Sequence, residues 1–211
     1  MTKKQKAALC VAALEKEYPD AICSLIASNP LELLIATRLS AQCTDERVNK
    51  VTPRLFQKYP TLEDYCNADV KDVEKLIYSC GFYRAKANDI VTLAKQIRDD
   101  FGGKFPDNLD DLITLSGIGR KTANLIMGDI YKQPAVVADT HLIRISNLLG
   151  FVKTKDPKKV ELELKKILPP DKSNDYCHRN VLHGRAVCVA RRPQCDICCL
   201  REWCRFGSKK V

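Results

Sequence analysis

With 211 residues, 45% of them hydrophobic, the chain can bury one full core or two small lobes, which excludes a disordered polymer. Thirty-five Lys and Arg against 26 Asp and Glu leave a net charge of +9, suited to an anionic partner such as nucleic acid or a membrane surface. No apolar run approaches the ~20 residues of a membrane span and the start MTKKQKAALC lacks a signal-peptide core, so an intracellular, cytoplasmic protein is expected.

Apolar residues three or four apart predict helices in AALCVAALEKEY, PLELLIATRLSAQ, DERVNKVTPRLFQKY, DVEKLIYSCG and RAKANDIVTLAKQIRDDFG. The same spacing continues through RKTANLIMGDIY, THLIRISNLLG and KKVELELKKIL. Proline and glycine fall between these segments, at Asn29-Pro30, Gly102-Gly103, Lys132-Gln133-Pro134 and Pro169-Pro170, so the connections are short. Period-two strands, fixed repeats and low-complexity linkers are absent. The pattern is that of an all-α protein with a cysteine-rich end.

DLITLSGIGRKTANLIMGDIY reads as a helix-hairpin-helix: one helix ends at Leu115 or Ser116, Gly117 and Gly119 permit a tight turn, and a second helix runs from about Arg120 to Tyr131. Amides around Ile118 and Gly119 can approach a backbone phosphate, and Arg120 adds charge. A plain αα-turn needs no ligand, and spacing alone leaves both readings open. Lys121 sharpens the question, because the positive end of a helix repels a cation. Either an anionic partner is expected there, or the lysine is meant to lose its proton. Asp139, after an apolar run and before a helical pattern, has the place of an N-cap.

Six of the eleven cysteines (10, 23, 43, 66, 80 and 177) are scattered among apolar neighbours and behave as small hydrophobes. The other five crowd into CVARRPQCDICCLREWC, where Cys188, Cys195, Cys198 and Cys204 are spaced C-x6-C-x2-C-x5-C and Cys199 is left over. In a reducing compartment such a cluster points to a metal centre rather than disulfides, and four thiolates suit tetrahedral zinc or an iron–sulfur cubane.

LSAQCTDERVN, GFYRAKA, LSGIGRKTAN, VADTHLIRI and LHGRAVCVARRPQCDICCLREWC, in this order over nearly the whole chain, resemble the endonuclease III family of DNA glycosylases. The resemblance implies a six-helix barrel over 22–134 holding the hairpin at about 109–131, beside a lobe of 1–21 plus 135–211 that carries a [4Fe–4S] cluster on the four spaced cysteines. It implies a monomer that binds double-stranded DNA containing damaged pyrimidines or abasic sites across the cleft between the lobes, in the nucleoid.

By the same resemblance Lys121 attacks C1′ of the damaged nucleoside, expels the base and forms a Schiff base through which the 3′ strand is β-eliminated. Partial burial, the helix N-terminus and Arg120 would favour the neutral amine that this needs. Asp139 becomes the carboxylate that balances charge on the sugar, while His141 reads as a hydrogen-bonded structural residue. Gln42 fills the space left by the flipped base and Phe82 wedges the opposite strand, with helix-end and core positions as their plain readings. Arg191 and Arg192 contact DNA phosphates or form salt bridges within the protein. Ser116 replaces the proline usual in the family hairpin, which would loosen the turn, and Cys199 is a spare thiol open to oxidation. Two other readings stand beside this one. A non-catalytic DNA-binding module with a structural metal would not need Lys121 together with Asp139, and adenine and thymine-mismatch glycosylases lack the hairpin lysine.

Overall fold

The computed structural model describes residues 1–209, and no strand occurs among them. Its α-helices are α1 (Lys3–Glu17), α2 (Pro30–Ser40), α3 (Asp45–Lys58), α4 (Leu62–Cys66), α5 (Val70–Ile77), α6 (Tyr83–Asp100), α7 (Leu109–Leu112), α8 (Arg120–Asp129), α9 (Thr140–Leu149), α10 (Pro157–Lys165) and α11 (Ser173–Ala186). The chain forms two compact units, one of Ser24–Tyr131 and one of Met1–Cys23 with the chain from Lys132 onward.

The first unit is built around α2. Pro30 at its first position and Asn29, whose side chain accepts from Glu32 N at 3.0 Å, fix its start. Leu31, Leu33, Leu34, Ile35, Ala36 and Leu39 are all buried, so the helix is covered on every side, by α3, α6 and α8. α6 packs a second apolar face, Ala87, Ile90, Val91, Ala94 and Ile97, against α4 and α5. Helix starts are mostly closed by side chains: Asn29, Thr44, Thr61, Asp69 and Asn108 each accept an amide of the following turn. α6 and α8 begin without any side-chain cap, at Phe82 and Gly119.

The second unit pairs α11 with α1 and α9. α1 presents Ala7, Cys10, Val11 and Leu14, spaced for one face, and ties down the end of α9 through Lys6 Nζ, which donates to Leu149 O at 2.6 Å. α11 has no counterpart among the segments predicted from periodicity. The reason is that it buries Ser173, Arg179, Asn180 and His183 beside Tyr176 and Cys177, so polarity does not mark its inner face. Arg179 is paid for by specific partners, Nε donating to Tyr18 O at 3.2 Å and the guanidinium lying 3.6 Å from Glu15. Gly184 lets α11 close on α9, since a Cβ there would collide with the His141 ring. The short α4 also lacks an apolar signature and stands on the capping box of Thr61 and Asp64.

A buried ammonium joins α6 to the end of α2. Lys86 is 1% exposed, its Nζ donates to Leu39 O at 2.7 Å, and burial lowers its pKa from the usual lysine value. We expect Lys86→Ala to destabilise the protein by about 2–4 kcal/mol, through lost packing of the stem and an unpaired carbonyl. Urea unfolding checks this, and an unchanged midpoint would show that Lys86 does not tie the two helices.

Candidate active site and nucleic-acid interface

The hairpin is tighter than the sequence suggests. Helical hydrogen bonding in its first arm stops at Leu112, three residues early, and single turns carry the chain through Thr114 and Leu115. Gly117 takes a left-handed φ of 73°, and a Cβ there would run into the Arg38 side chain, so both backbone and space demand glycine. Ile118 is 5% exposed and its amide donates to Leu115 O at 3.0 Å, which removes that N–H from the donors expected to meet a phosphate. The open amides lie one step later, where α8 follows Gly119 with no side-chain cap and Ala123 N donates back to Gly119 O at 3.0 Å. An anion is the natural partner for such a start.

Ser116 does not loosen the turn as expected. Its N–H donates to Gln96 Oε1 at 2.7 Å and its hydroxyl donates to Asp89 Oδ1 at 2.9 Å, so two hydrogen bonds stand where a proline ring would have given stiffness. Lys121 also departs from expectation: it is exposed, so burial by the chain itself does not act on its ammonium. Arg120 beside it is half-buried.

Gln42 and Phe82 are both exposed and both left-handed, at φ 54° and 58°, in loops that follow α2 and precede α6. Phe82 is 68% exposed, which excludes the core position. The loops touch: a Cβ on Gly81 would lie 3.7 Å from Gln42 O, and Cys80 beside it is fully buried, which pushes its thiol up to about 11. A bulky residue at positive φ is a local strain held in place by its surroundings.

In the other unit, residues 135–137 run extended and buried into Asp139. Asp139 Oδ1 accepts from Leu142 N at 2.7 Å and caps α9, so the N-cap reading is realised. His141 is tied structurally, its Nδ1 lying 3.3 Å from Arg144 and its ring packed against Gly184.

Arg144 was not singled out from the sequence, nor was His183, yet both serve the cysteine loop. Arg144 donates to Cys188 O and, at 3.3 Å, to Cys188 Sγ. His183 is buried, and burial followed by the Arg144 charge pushes it down to about 4, so the ring is neutral at physiological pH. Tyr18 OH meets its Nδ1 at 3.2 Å and Cys198 Sγ lies 3.4 Å from its Nε2. A phenol donating to Nδ1 leaves the Nε2 proton for the sulfur. His183 lies in α11, whose inner face is polar, and Arg144 lies in the patterned α9 but as a polar residue between apolar ones, so apolar periodicity marks neither.

Cys188, Cys195, Cys198 and Cys204 are half-buried, and burial raises the Cys188 and Cys198 thiols. Gly207 N donates to Cys204 Sγ at 3.4 Å. Among the described residues no group of three or more His, Cys, Asp or Glu closes tightly enough for a single metal ion. Burial, then Cys198, pushes Cys199 up to about 11, which keeps it a thiol and counters the oxidation expected of it. Arg191 and Arg192 are exposed, and no ion pair engages either among the described residues, whereas Arg201 pairs with Asp196 at 3.1 Å. No helix among the described residues is long and apolar enough to cross a membrane.

Residues 35–170 match the family described as HhH-GPD superfamily base excision DNA repair protein. Endonuclease III of Synechocystis sp. is 46% identical over 205 residues, 96% of this chain and 93% of that protein. Endonuclease III of Bacillus subtilis is 42% identical over 202 residues, covering 95% and 92%. A solved endonuclease III, trapped as a covalent intermediate with DNA in an estranged-adenine complex, is 44% identical with a TM-score of 0.91, covering 100% of this chain and 99% of that one. A thermostable thymine-DNA glycosylase shares the fold at 21% identity and a TM-score of 0.88, covering 97% and 98%. With that match over most of the chain and these identities over nearly its full length, the chain belongs to the HhH-GPD superfamily and, within it, to the endonuclease III family.

Proposed function

We propose that the protein is a base-excision glycosylase that removes damaged pyrimidines from duplex DNA and cleaves the resulting abasic site as a lyase. The observation that carries this is Lys121, an exposed amine one residue inside an uncapped helix start, in a chain 44% identical to an endonuclease III trapped covalently on DNA. In the proposed reaction the neutral Lys121 amine attacks C1′ and the base leaves with the bonding electrons. The amine nitrogen gives up a proton, the sugar opens as the C1′–O4′ bond breaks and O4′ takes a proton, and the resulting protonated imine acidifies the 2′ proton, whose loss expels the 3′ phosphate by β-elimination. Because the chain leaves Lys121 exposed, the desolvation that favours a neutral amine falls to the bound DNA. Asp139, whose Oδ1 is committed to the α9 cap, is held rigidly enough to balance positive charge on the sugar.

Gly117, Gly119 and Arg120 hold the strand by its phosphates, without reading sequence. Exposed Phe82 and Gln42 fill the stack when a base leaves it, which offsets the few kcal/mol that flipping costs. Cys188, Cys195, Cys198 and Cys204 hold a [4Fe–4S] cluster. The donor set supports this: four half-buried cysteines spaced C-x6-C-x2-C-x5-C could give each iron of a cubane one thiolate. When bound, the cluster supplies cross-linking of the loop that carries Arg191 and Arg192.

Borohydride trapping on a duplex with one abasic site is the direct test: the parent should form a covalent adduct, and Lys121→Gln should bind the duplex yet form none. Equal trapping by both proteins would remove Lys121 from the mechanism. Arg191→Ala and Arg192→Ala should each weaken binding across sequences and lower the slope of log affinity against log salt by about 1; an unchanged slope would place these arginines away from phosphate. Protein purified without oxygen should be brown, with iron and sulfide in equal amounts, and Cys198→Ala should lose the colour; a colourless protein holding zinc would overturn the cluster assignment.

A further inference from the structure

The hairpin cannot hold its own shape. Its first arm loses helical bonding at Leu112, and Gly117 adds a residue with the widest backbone freedom. Restraint comes from outside, from one face of α6 and from α2. Gln96 brackets the backbone on both sides, Oε1 accepting from Ser116 N at 2.7 Å and Nε2 donating to Thr114 O at 3.3 Å. Seven residues earlier on the same helix face, Asp89 uses both carboxylate oxygens. Oδ1 accepts from the Ser116 hydroxyl at 2.9 Å, and Oδ2 accepts from Arg38 through Nε at 2.7 Å and through NH2. Both charged side chains are largely buried, at 16% and 20% exposure, so water competes little for them. The pair lies directly beneath the turn, where a Cβ on Gly117 would meet Arg38 Nε and Asp89 Oδ2.

We propose that Asp89 is a positioning residue for the chemistry at Lys121: by holding the Ser116 hydroxyl and the Arg38 guanidinium it fixes the turn, and with it the place of the Lys121 amine and the amides that open α8. The inference rests on the reading of Lys121 as the nucleophile. It differs from plain stabilisation because the clamp acts on the element next to the reacting amine, and a displacement of about 1 Å there costs on the order of a hundredfold in rate. Arg38 stiffens Asp89, and Gln96 fixes the same stretch by an independent route through the backbone.

The test is the single-turnover rate of borohydride trapping at saturating protein on an abasic duplex, alongside the affinity for a duplex carrying a non-cleavable abasic analogue and the melting temperature of the free protein. Asp89→Ala should lower the saturating rate by about tenfold to a hundredfold, and Ser116→Ala, which removes one half-buried hydroxyl and keeps the protein folded, by about threefold to tenfold. Asp89→Asn should fall between Asp89→Ala and the parent, since its amide oxygen still accepts from Ser116 while its charge toward Arg38 is gone. The double variant Asp89→Ala/Ser116→Ala should be no slower than Asp89→Ala alone, because both changes break the same bond. If Ser116→Ala and Asp89→Ala lose melting temperature but are trapped at the parental saturating rate, Asp89 is structural only and the proposal is overturned. Multiplying losses in the double variant would overturn the shared contact. A parent that binds the duplex but is never trapped would instead sink the Lys121 reading, and the positioning role with it.

Discussion

Every helix start leaves amides without partners, and where the chain closes them decides where a ligand can sit. In the unit of Ser24–Tyr131, side chains close α2, α3, α4, α5 and α7. α6 and α8 stay open, each entered through a glycine-bearing loop. An open start carries roughly half a positive charge, and placing a lysine there costs about 0.3–1 kcal/mol unless an anion accompanies it. Lys121 is therefore set where either the loss of its proton or a negatively charged ligand relieves it. A nucleic-acid strand does so without any base being read.

Strain follows the same distribution. Gln42 and Phe82 are held in left-handed backbone, which costs an L-residue roughly 1–2 kcal/mol. Neither side chain gains burial in return, since both are exposed. What maintains them is the packing behind: Lys86 bonded to Leu39 where α2 ends, and the fully buried Cys80 at the foot of the loop that carries Phe82. A rigid α2–α6 base presenting two strained, exposed side chains is intelligible if those side chains must be aimed before the ligand arrives.

How much of this was legible in the sequence depended on whether a feature left an apolar or glycine signal. The helices of the first unit and the turn at Gly117 did, because periodicity and the need for positive φ are written in single residues. α11 did not, because its inner face is Arg179, Asn180 and His183, whose burial makes sense only once Tyr18, Glu15 and the cysteine loop are beside them. The hairpin itself was legible as a motif but not in its mechanics. That the Ile118 amide is spent inside the turn, and that Ser116 is bonded rather than loose, depends on Leu115, Gln96 and Asp89 at distances no local pattern encodes. Asp139 shows the opposite case, a residue whose capping role was readable and whose chemical role came only with the resemblance.

The cysteine loop obeys a different rule from the helices. From Cys188 to Cys204 its only helical elements are three-residue 3₁₀ turns, and Leu200 is its one buried apolar side chain outside the cysteines. A segment with so little apolar surface cannot offset the entropy of being ordered by packing alone. In the proposed assignment its order comes from the four sulfurs and from the groups that serve them. His183 is kept neutral by burial, and as a neutral ring bonded to Tyr18 it can direct an N–H at Cys198 Sγ without adding charge, while Arg144 supplies the one full positive charge at Cys188 Sγ. A loop cross-linked through sulfur needs no apolar residues at its tip, which frees Arg191 and Arg192 to stand exposed with no acidic partner among the described residues. In the proposed assignment, the same economy of core that makes the loop depend on its thiolates makes its surface available to phosphate.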